Sequence, residues 1–582
     1  MSVLSRILDK VYADLSQWET IDRNSIINSL PKKEYLEVWK IEAEIKVNNS
    51  LREVCLFIAF DKFFPLSIPC IYLSQESYDT IKYIPHIDED RYVCTFHKDA
   101  VILDKNNPLK IVCDCLRRAK DIIQQGLEGT NHIDFRDEIR AYWRDSVSDM
   151  NLIQYLSLIT EYPKETKTFR VYKINQPYNG FKYFLYEEEN SISKLFLEFL
   201  AEKDCKGSSF DALFLADYKI NSKPPFDLTN ESVLNSISQS SLKIFKEYIN
   251  GKTVEKHIFF LAETTSTPIL LGWKHKPLNT KINGFRPGTF SSFDILSKRQ
   301  KNNLVEKFLV SEYSNHRIEK RTSGVIRKKY DFLVAGLGSI GSNLIYFLNG
   351  INYPNYKFID DDFLQLENIG RHLLGLNNVH SNKTNALKAY IKNIRPDQNV
   401  VIKTARLESV LYENLDFFND CSYAFIAIGN QNIENLLVEL HNEGKITVPM
   451  FFLWVEPYAL GGHCLFIHPN DKVYVNELYE NHLYRFNVIA PDEYKASNPV
   501  LTKQEAGCET SYTPYSGNDV ILFLSSIYKW INDIIQKDIK HSIAVRWIGN
   551  LDTIKELKIQ TADNILNRES FSNEVIILHN DN

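Results

Sequence analysis

Gly336, Gly338 and Gly341 stand as G-x-G-x-x-G directly after the apolar run Tyr330 to Ala335. Glycines at this spacing let backbone N–H groups approach a phosphate at the start of a helix. Asp360, 19 residues beyond Gly341, ends the next apolar run, where a carboxylate accepts hydrogen bonds from ribose hydroxyls. These features suit NAD and ATP equally. The polar residues downstream separate the two ligands: Asp360, Asp362, Asn368 and Arg371 stand as D-x-D-x(5)-N-x-x-R, and Lys383 heads the helical pattern SNKTNALKAYIKNI. Asparagine, arginine and lysine converging on a triphosphate serve an enzyme that splits ATP between its α and β phosphates, not a dehydrogenase. A nucleotide-binding domain for another ligand stays open at this point. Two cysteines lie in loop text, Cys508 in LTKQEAGCETSYTPYSG and Cys94 in YIPHIDEDRYVCTF. A thiolate there could take an acyl group and keep it reactive; the alternative is a small, partly buried hydrophobe.

The elements that must position these residues fall into three parts. From Pro31 to about Gly126 the text reads as a helix, an antiparallel meander, a loop region and a helix. Trp39, Ile41, Ala43, Ile45 and Val47 alternate with charged residues, the period of a half-buried strand. Val54 to Phe60 and Cys70 to Leu73 are further strands, separated by Pro65 and Pro69, which stop strand pairing. Pro108 stands at the first turn of a helix through Gln125, where a missing N–H costs nothing. From about Asn151 to Glu319 come strand-like runs, His257 to Ala262 and Pro268 to Trp273 among them, with no motif that carries chemistry. From Arg327 the text becomes strand, glycine turn, helix, strand, and the strands Tyr330–Ala335 and Tyr356–Ile359 are largely apolar, as in a parallel sheet covered on both faces. The expected architecture is therefore multidomain, α+β then α/β: residues 1–150, a connecting domain 151–319, and a Rossmann-like domain 320–582. Cys55, Cys70, Cys113 and Cys115 lie on strand or helix patterns and are expected in the core.

On the motifs GLGSIG, IDDDFLQLENIGR and the lysine of SNKTNAL, residues Arg327 to Trp530 resemble the ThiF/MoeB and ubiquitin-activating adenylation family. The resemblance implies ATP and magnesium, with Asp360 on the ribose, Asn368 and Arg371 on phosphates, and Lys383 neutralising charge as pyrophosphate leaves. Family members carry an Asp-Asn pair after the fourth strand. Here AFIAIGNQNIEN has Gly429 and Asn430, so Asp362 becomes the acidic candidate for the metal. Only Cys421 and Cys464 lie nearby, without the Cys-x-x-Cys pairs of the zinc-binding relatives, which predicts no structural zinc. Arg317, Lys320 and Arg321 precede the first strand; in relatives an arginine of this arm reaches the partner subunit's ATP, and a solvated basic face is the alternative. Cys508, just before a long apolar helix pattern, resembles the acceptor cysteine of single-domain ubiquitin-activating enzymes.

FFPLSIPCIYL with YIPHIDEDRYVCTF downstream resembles the ubiquitin-conjugating fold. That match implies a thioester on Cys94 and a loop ordered by His86. The usual His-Pro-Asn is replaced by Pro85-His86-Ile87, leaving Asp88, Asp90 or backbone N–H groups to assist. An RWD-like relative that kept the fold and lost the chemistry is the alternative. The two resemblances together are similar to the fused activating and conjugating enzymes of CBASS antiphage operons. They imply an enzyme that joins a protein's C-terminus, that of a cGAS-like nucleotidyltransferase, to a target amine, and that pairs as a homodimer. A small ubiquitin-like protein as the activated partner, an activator that makes only the adenylate, and a nucleotide-dependent scaffold of reduced activity are the alternatives.

The 582 residues allow three to four domains at about 150 residues each. Lys and Arg total 68 against 74 Asp and Glu, a net charge of −6, which offers no basic surface for nucleic acid. Nine cysteines without a Cys-x-x-Cys pair exclude a secreted disulfide framework. No continuous apolar stretch reads as a signal peptide or membrane span. A cytoplasmic protein is expected.

Overall fold

The computed structural model describes residues 3–23, 30, 35–48, 50–96, 101–143, 154–220, 228–251, 255–281, 283–286, 288–494, 498–504, 511–565 and 567–578. Cys508 lies outside the described residues. The chain forms two compact units, Met1–Glu187 with Cys205–Tyr313, and Glu188–Asp204 with Ser314–Asn582.

The first unit begins with an antiparallel five-stranded sheet in sequence order: Thr20–Asp22, Glu37–Val47, Ser50–Phe60, Cys70–Leu73 and Tyr92–Val93. The alternation seen in the sequence becomes real two-sidedness. Ile41, Ala43, Ile45 and Val47 are buried while Glu42, Glu44 and Lys46 face water. Helix Pro108–Glu128 covers the apolar face through Ile111, Val112, Cys115, Leu116, Ala119 and Ile123. It starts where Asn107 accepts from the Lys110 N–H with Pro108 in the first turn, and ends at Gly129 in the left-handed region. Cys115 is buried as expected, whereas Cys55, Cys70 and Cys113 are only half-buried; Cys55 points to the face of its strand opposite the buried Val54, Leu56 and Ile58.

The connecting segment folds as a closed seven-stranded barrel in the same unit. Its ring closes where Gly207–Leu215 runs parallel to Lys256–Ala262, and Tyr155–Ser157 sits parallel to both its neighbours. Trp143, wholly buried, donates its indole N–H to the Gly272 carbonyl at 2.9 Å and meets Phe260 edge-on, keying the end of the first domain to the barrel.

The second unit is built on an eight-stranded mixed sheet. In spatial order its strands are Val400–Lys403, Asn355–Ile359, Asp331–Ala335, Tyr423–Ile426, Met450–Val455, Gly461–Ile467, Ile543–Ile548 and Asn573–Ile577. The first five run parallel and the last three antiparallel. The central parallel strands are buried on both faces, which is why their text is apolar without alternation. Helix Ser339–Leu348 packs against the 21-residue helix Gly517–Lys537, whose Val520, Phe523, Leu524, Ile527 and Ile531 enter the same core. The C-terminal strands extend this sheet and carry no motif. Among the described residues, no helix is long and apolar enough to cross a membrane.

Candidate active site

Strand Asp331–Ala335 lies between Asn355–Ile359 and Tyr423–Ile426, the point where chain order along the sheet reverses. Ligands of open α/β sheets bind in the crevice at the carboxyl ends of such strands. Here that crevice is a cavity of about 380 Å³ lined by Gly336, Gly338, Asp360, Asp361, Asp362, Lys383, Arg406 and Asn430, among others. Gly336 turns with φ +83°, and a Cβ there would lie 2.6 Å from the Ala427 carbonyl oxygen. The turn is fixed from beneath: the Leu337 N–H donates to Asp360 Oδ2 at 2.6 Å, and the Asp362 N–H to Asp360 Oδ1 at 2.8 Å. Burial pushes the Asp360 carboxyl above its ordinary range, and the charge of nearby Lys383 pulls it back.

Lys383 opens helix Lys383–Ile394 and is buried; its Nζ lies 2.7 Å from Asp362 Oδ2. Backbone pairing from the Lys383 N–H to the Asp362 carbonyl at 3.0 Å fixes that approach. Oxygens of Asp360, Asp361 and Asp362 lie within 4.8 Å of one another at the cavity rim. A hard divalent cation needs such a carboxylate set together with substrate phosphates, so the residues present fit magnesium.

Asn368 and Arg371 do not line this cavity, and Arg371 lies beside the start of the glycine-loop helix. The Asn368 side chain accepts the Gln365 N–H at 3.0 Å and closes its own turn. Arg371 lies with its guanidinium 4.5 Å from the Tyr515 ring centroid and donates to the Thr513 carbonyl at 3.3 Å. Gly341 does not line the cavity; its role is packing, since a Cβ there would sit 1.9 Å from the Gly336 carbonyl oxygen. Asn430 caps helix Gln431–Asn442 by accepting the Asn432 N–H.

Cys94 ends a short hairpin with His86. The Cys94 N–H donates to the His86 carbonyl at 2.8 Å, and Ile87 pairs with Val93. His86 holds φ +67° because the Glu138 carboxylate and the Tyr142 hydroxyl each accept its backbone N–H at 2.9 Å. Its ring lies between Glu138 Oε1 at 2.5 Å on Nδ1 and Asp134 Oδ2 at 3.0 Å on Nε2. With an acceptor on both nitrogens the imidazolium is favoured, and hydrogen bonding to Glu138 raises the His86 pKa against the cost of burial. Burial first, then the Glu138 and Asp88 charges, push the Cys94 thiol up, so at rest it is a thiol and not a thiolate.

Residues 23–151 match the prokaryotic E2 family B, and residues 317–511 match the ThiF family. The chain joins an E2-like domain to a ThiF domain. It is an ATP-dependent adenylating and thioester-transferring enzyme. Among solved structures it is similar to PaaA in its selenomethionine form, at 12% identity and TM-score 0.30 over 51% of this chain and 77% of that chain. It is also similar to E. coli tRNA N6-threonylcarbamoyladenosine dehydratase, TcdA, in complex with AMP, at 18% identity and TM-score 0.21. That match covers 23% of this chain and 56% of TcdA, so the chain spans little more than half of it. The TcdA complex with ATP gives 19% identity and TM-score 0.21, with 23% and 56% covered. No curated protein matches the chain.

Several residues of the two domains have no counterpart among the sequence-based expectations. Arg406, just past the end of strand Val400–Lys403, lines the ThiF cavity and donates to Asp361 at 3.3 Å; its place at a strand's carboxyl end was the available signal. His372 donates from Nε2 to the Leu337 carbonyl at 2.9 Å while Nδ1 accepts the Leu374 N–H. Burial lowers its pKa to about 4, so it steadies the glycine turn as a neutral ring. Glu456, buried, accepts the Val488 and Ile489 N–H groups, the Tyr494 hydroxyl and His463 Nε2. In the E2-like domain, Asp134 and Glu138 reach His86 from far along the chain and left no local signal.

The His86–Glu138 pair makes stability depend on pH. The His86 pKa is raised from 6.5, so its contribution is full below that value and lost as pH rises through the raised value. Glu138 is pulled up by burial, but the hydrogen bonds from His86 and Tyr142 outweigh this and lower its pKa from 4.5. Its contribution is full above 4.5 and lost as pH falls through the lowered value. The melting-temperature difference between wild type and Glu138→Gln is expected to be largest between these two ordinary values and to shrink as pH rises through the raised His86 value. A difference constant across that range would contradict the pairing.

Proposed function

We propose that the ThiF domain adenylates the C-terminal carboxylate of a partner protein, that Cys508 takes the acyl group as a thioester, that Cys94 receives it, and that a target amine attacks. The observation that carries this reading is the convergence of the glycine turn, Asp360, Asp362 and Lys383 on one cavity, in a chain that also has Cys94 on a His86-ordered hairpin. In the first step a carboxylate oxygen attacks the α-phosphorus of ATP, the α–β bridging P–O bond breaks, and pyrophosphate leaves. Lys383 neutralises the charge that develops, and Asn368 and Arg371 hold phosphates. Asp362, with Asp360 and Asp361 beside it, would hold magnesium, which supplies further charge neutralisation. The Cys508 thiolate then displaces AMP; the Cys94 thiol attacks that thioester, its proton passing to the departing Cys508 sulfur; and the neutral amine displaces Cys94, its proton passing to the departing Cys94 sulfur. Transfer between the cysteines exchanges one thioester for another, so ATP supplies the driving force. Two cysteines on one polypeptide replace a bimolecular encounter by a high effective concentration.

The activated partner in this reading is a cGAS-like nucleotidyltransferase, in a cytoplasmic CBASS antiphage system, with the enzyme as a homodimer. The pairing of activating-like and conjugating-like domains also supports a small ubiquitin-like protein in that place. The test is non-reducing electrophoresis of wild type, Cys94→Ala and Cys508→Ala after incubation with ATP, magnesium and the protein encoded beside this gene. Thiol-sensitive adducts are expected in wild type, none in Cys508→Ala, and adducts trapped on Cys508 in Cys94→Ala. An adduct on Cys94 that survives Cys508→Ala would reverse or abolish the relay.

A further inference from the structure

We propose that Tyr515 is a positioning residue for adenylation: it holds the Arg371 guanidinium beside the first turn of the glycine-loop helix, ready to meet the phosphates of ATP beyond the first. This rests on the reading of Arg371 as a phosphate ligand. Tyr515 touches both parts of the device. Its ring lies beneath the guanidinium, 4.5 Å from centroid to Arg371 Cζ, and its hydroxyl is 3.0 Å from Ser339 Oγ. Ser339 is the first residue of the helix that the glycine motif opens.

The backbone of Arg371 is fastened to the same turn. Asn343 Nδ2 donates to the Ser339 carbonyl at 2.7 Å and to the Arg371 carbonyl at 2.9 Å. The segment carrying Tyr515 is fixed on both sides. The Tyr458 N–H donates to the Pro514 carbonyl at 2.5 Å, and Gly517 packs so closely that a Cβ would lie 2.9 Å from the Gly370 carbonyl oxygen. Arg371 donates as well to the Thr513 carbonyl of this segment. A long arginine side chain has many rotamers to lose when it binds phosphate; a stacked and hydrogen-bonded guanidinium has lost most of them beforehand. Ordinary core packing would not require a tyrosine whose ring meets the cation and whose hydroxyl meets the helix start. The segment from Thr513 to Gly517 also comes soon after Cys508 in sequence, so the stretch leading away from the proposed acceptor thiol is the one that orients the proposed phosphate ligand.

The test compares ATP and AMP binding by calorimetry for the full-length wild type, Tyr515→Leu, Tyr515→Phe, Arg371→Ala and the double variant Arg371→Ala/Tyr515→Leu. Tyr515→Leu is expected to weaken ATP binding about tenfold, the scale of a partly desolvated cation–π contact, and AMP binding by less than about twofold, since AMP lacks the phosphates Arg371 meets. Tyr515→Phe keeps the stack and should lose no more than about threefold for ATP. In the Arg371→Ala background Tyr515→Leu should have no further effect, the signature of two residues acting as one. Equal weakening of ATP and AMP, or additive losses in the double variant, would overturn the inference and leave Tyr515 as packing. A wild type that binds AMP but gains nothing from the extra phosphates of ATP would overturn the reading of Arg371 itself.

Discussion

Lys383→Ala is expected to lower ATP–pyrophosphate exchange by about 100- to 1,000-fold, the usual cost of removing one preorganised charge aimed at a developing oxyanion. ATP binding should fall far less. The reason lies in where the ammonium sits. Lys383 is buried at the start of its helix, its Nζ is 2.7 Å from Asp362, and its backbone pairs with the Asp362 carbonyl. That placement at the cavity wall costs no reorganisation when charge builds on the leaving pyrophosphate, whereas in the ground state the triphosphate has the glycine turn as well. Lys383→Arg is not a conservative rescue, because a planar guanidinium cannot replace a buried point charge on a fixed stem. Asp362→Asn separates the two partners: it frees Lys383 from its ion pair and removes one candidate metal ligand. Exchange rates with the activated partner decide the matter, and a Lys383→Ala enzyme within about threefold of wild type would remove the lysine from the chemical step.

The second large effect is expected from the glycine motif, and it differs between two glycines that look equivalent in the sequence. A methyl group on Gly341 would meet the Gly336 carbonyl oxygen at 1.9 Å, so Gly341→Ala must push the turn away from the helix. Overpacking of this kind costs about 1–3 kcal/mol, and the displaced turn no longer presents its N–H groups to a phosphate. Gly338 has no atom within 4 Å of a Cβ and needs no positive φ, so Gly338→Ala should fold as wild type does. Its methyl group then projects into the cavity that Gly338 lines. Denaturant unfolding combined with ATP titration should show both stability and binding lost in Gly341→Ala, and binding alone lost in Gly338→Ala. An unchanged unfolding midpoint for Gly341→Ala would contradict the close approach.

Much of this fold was legible from local pattern because each signal has a local cause. Alternation from Trp39 to Val47 marks a sheet with one wet face; the largely apolar runs Tyr330–Ala335 and Tyr356–Ile359 mark strands of a sheet covered on both. The glycine spacing, Asp360 and Lys383 converge because a strand, a turn and a helix start are adjacent in the chain and hence in space. The barrel between residues 155 and 312 was illegible for the opposite reason. Its closure depends on parallel pairings, Tyr155–Ser157 with Glu306–Glu312 and Gly207–Leu215 with Lys256–Ala262, which no neighbouring residues announce.

By itself, then, the sequence determined the elements of two candidate centres, since glycine turns, acid–lysine spacing and a cysteine in loop text are properties of short segments. Tertiary structure decided which residues serve them. Arg406 enters the cavity at the glycine turn while Arg371 is stacked on Tyr515 beside the start of the glycine-loop helix, and Asp134 and Glu138 close on His86 beside Cys94. These are contacts between elements distant in the chain, where residue type limits what can pair and only the packing of the sheets and helices selects the partner.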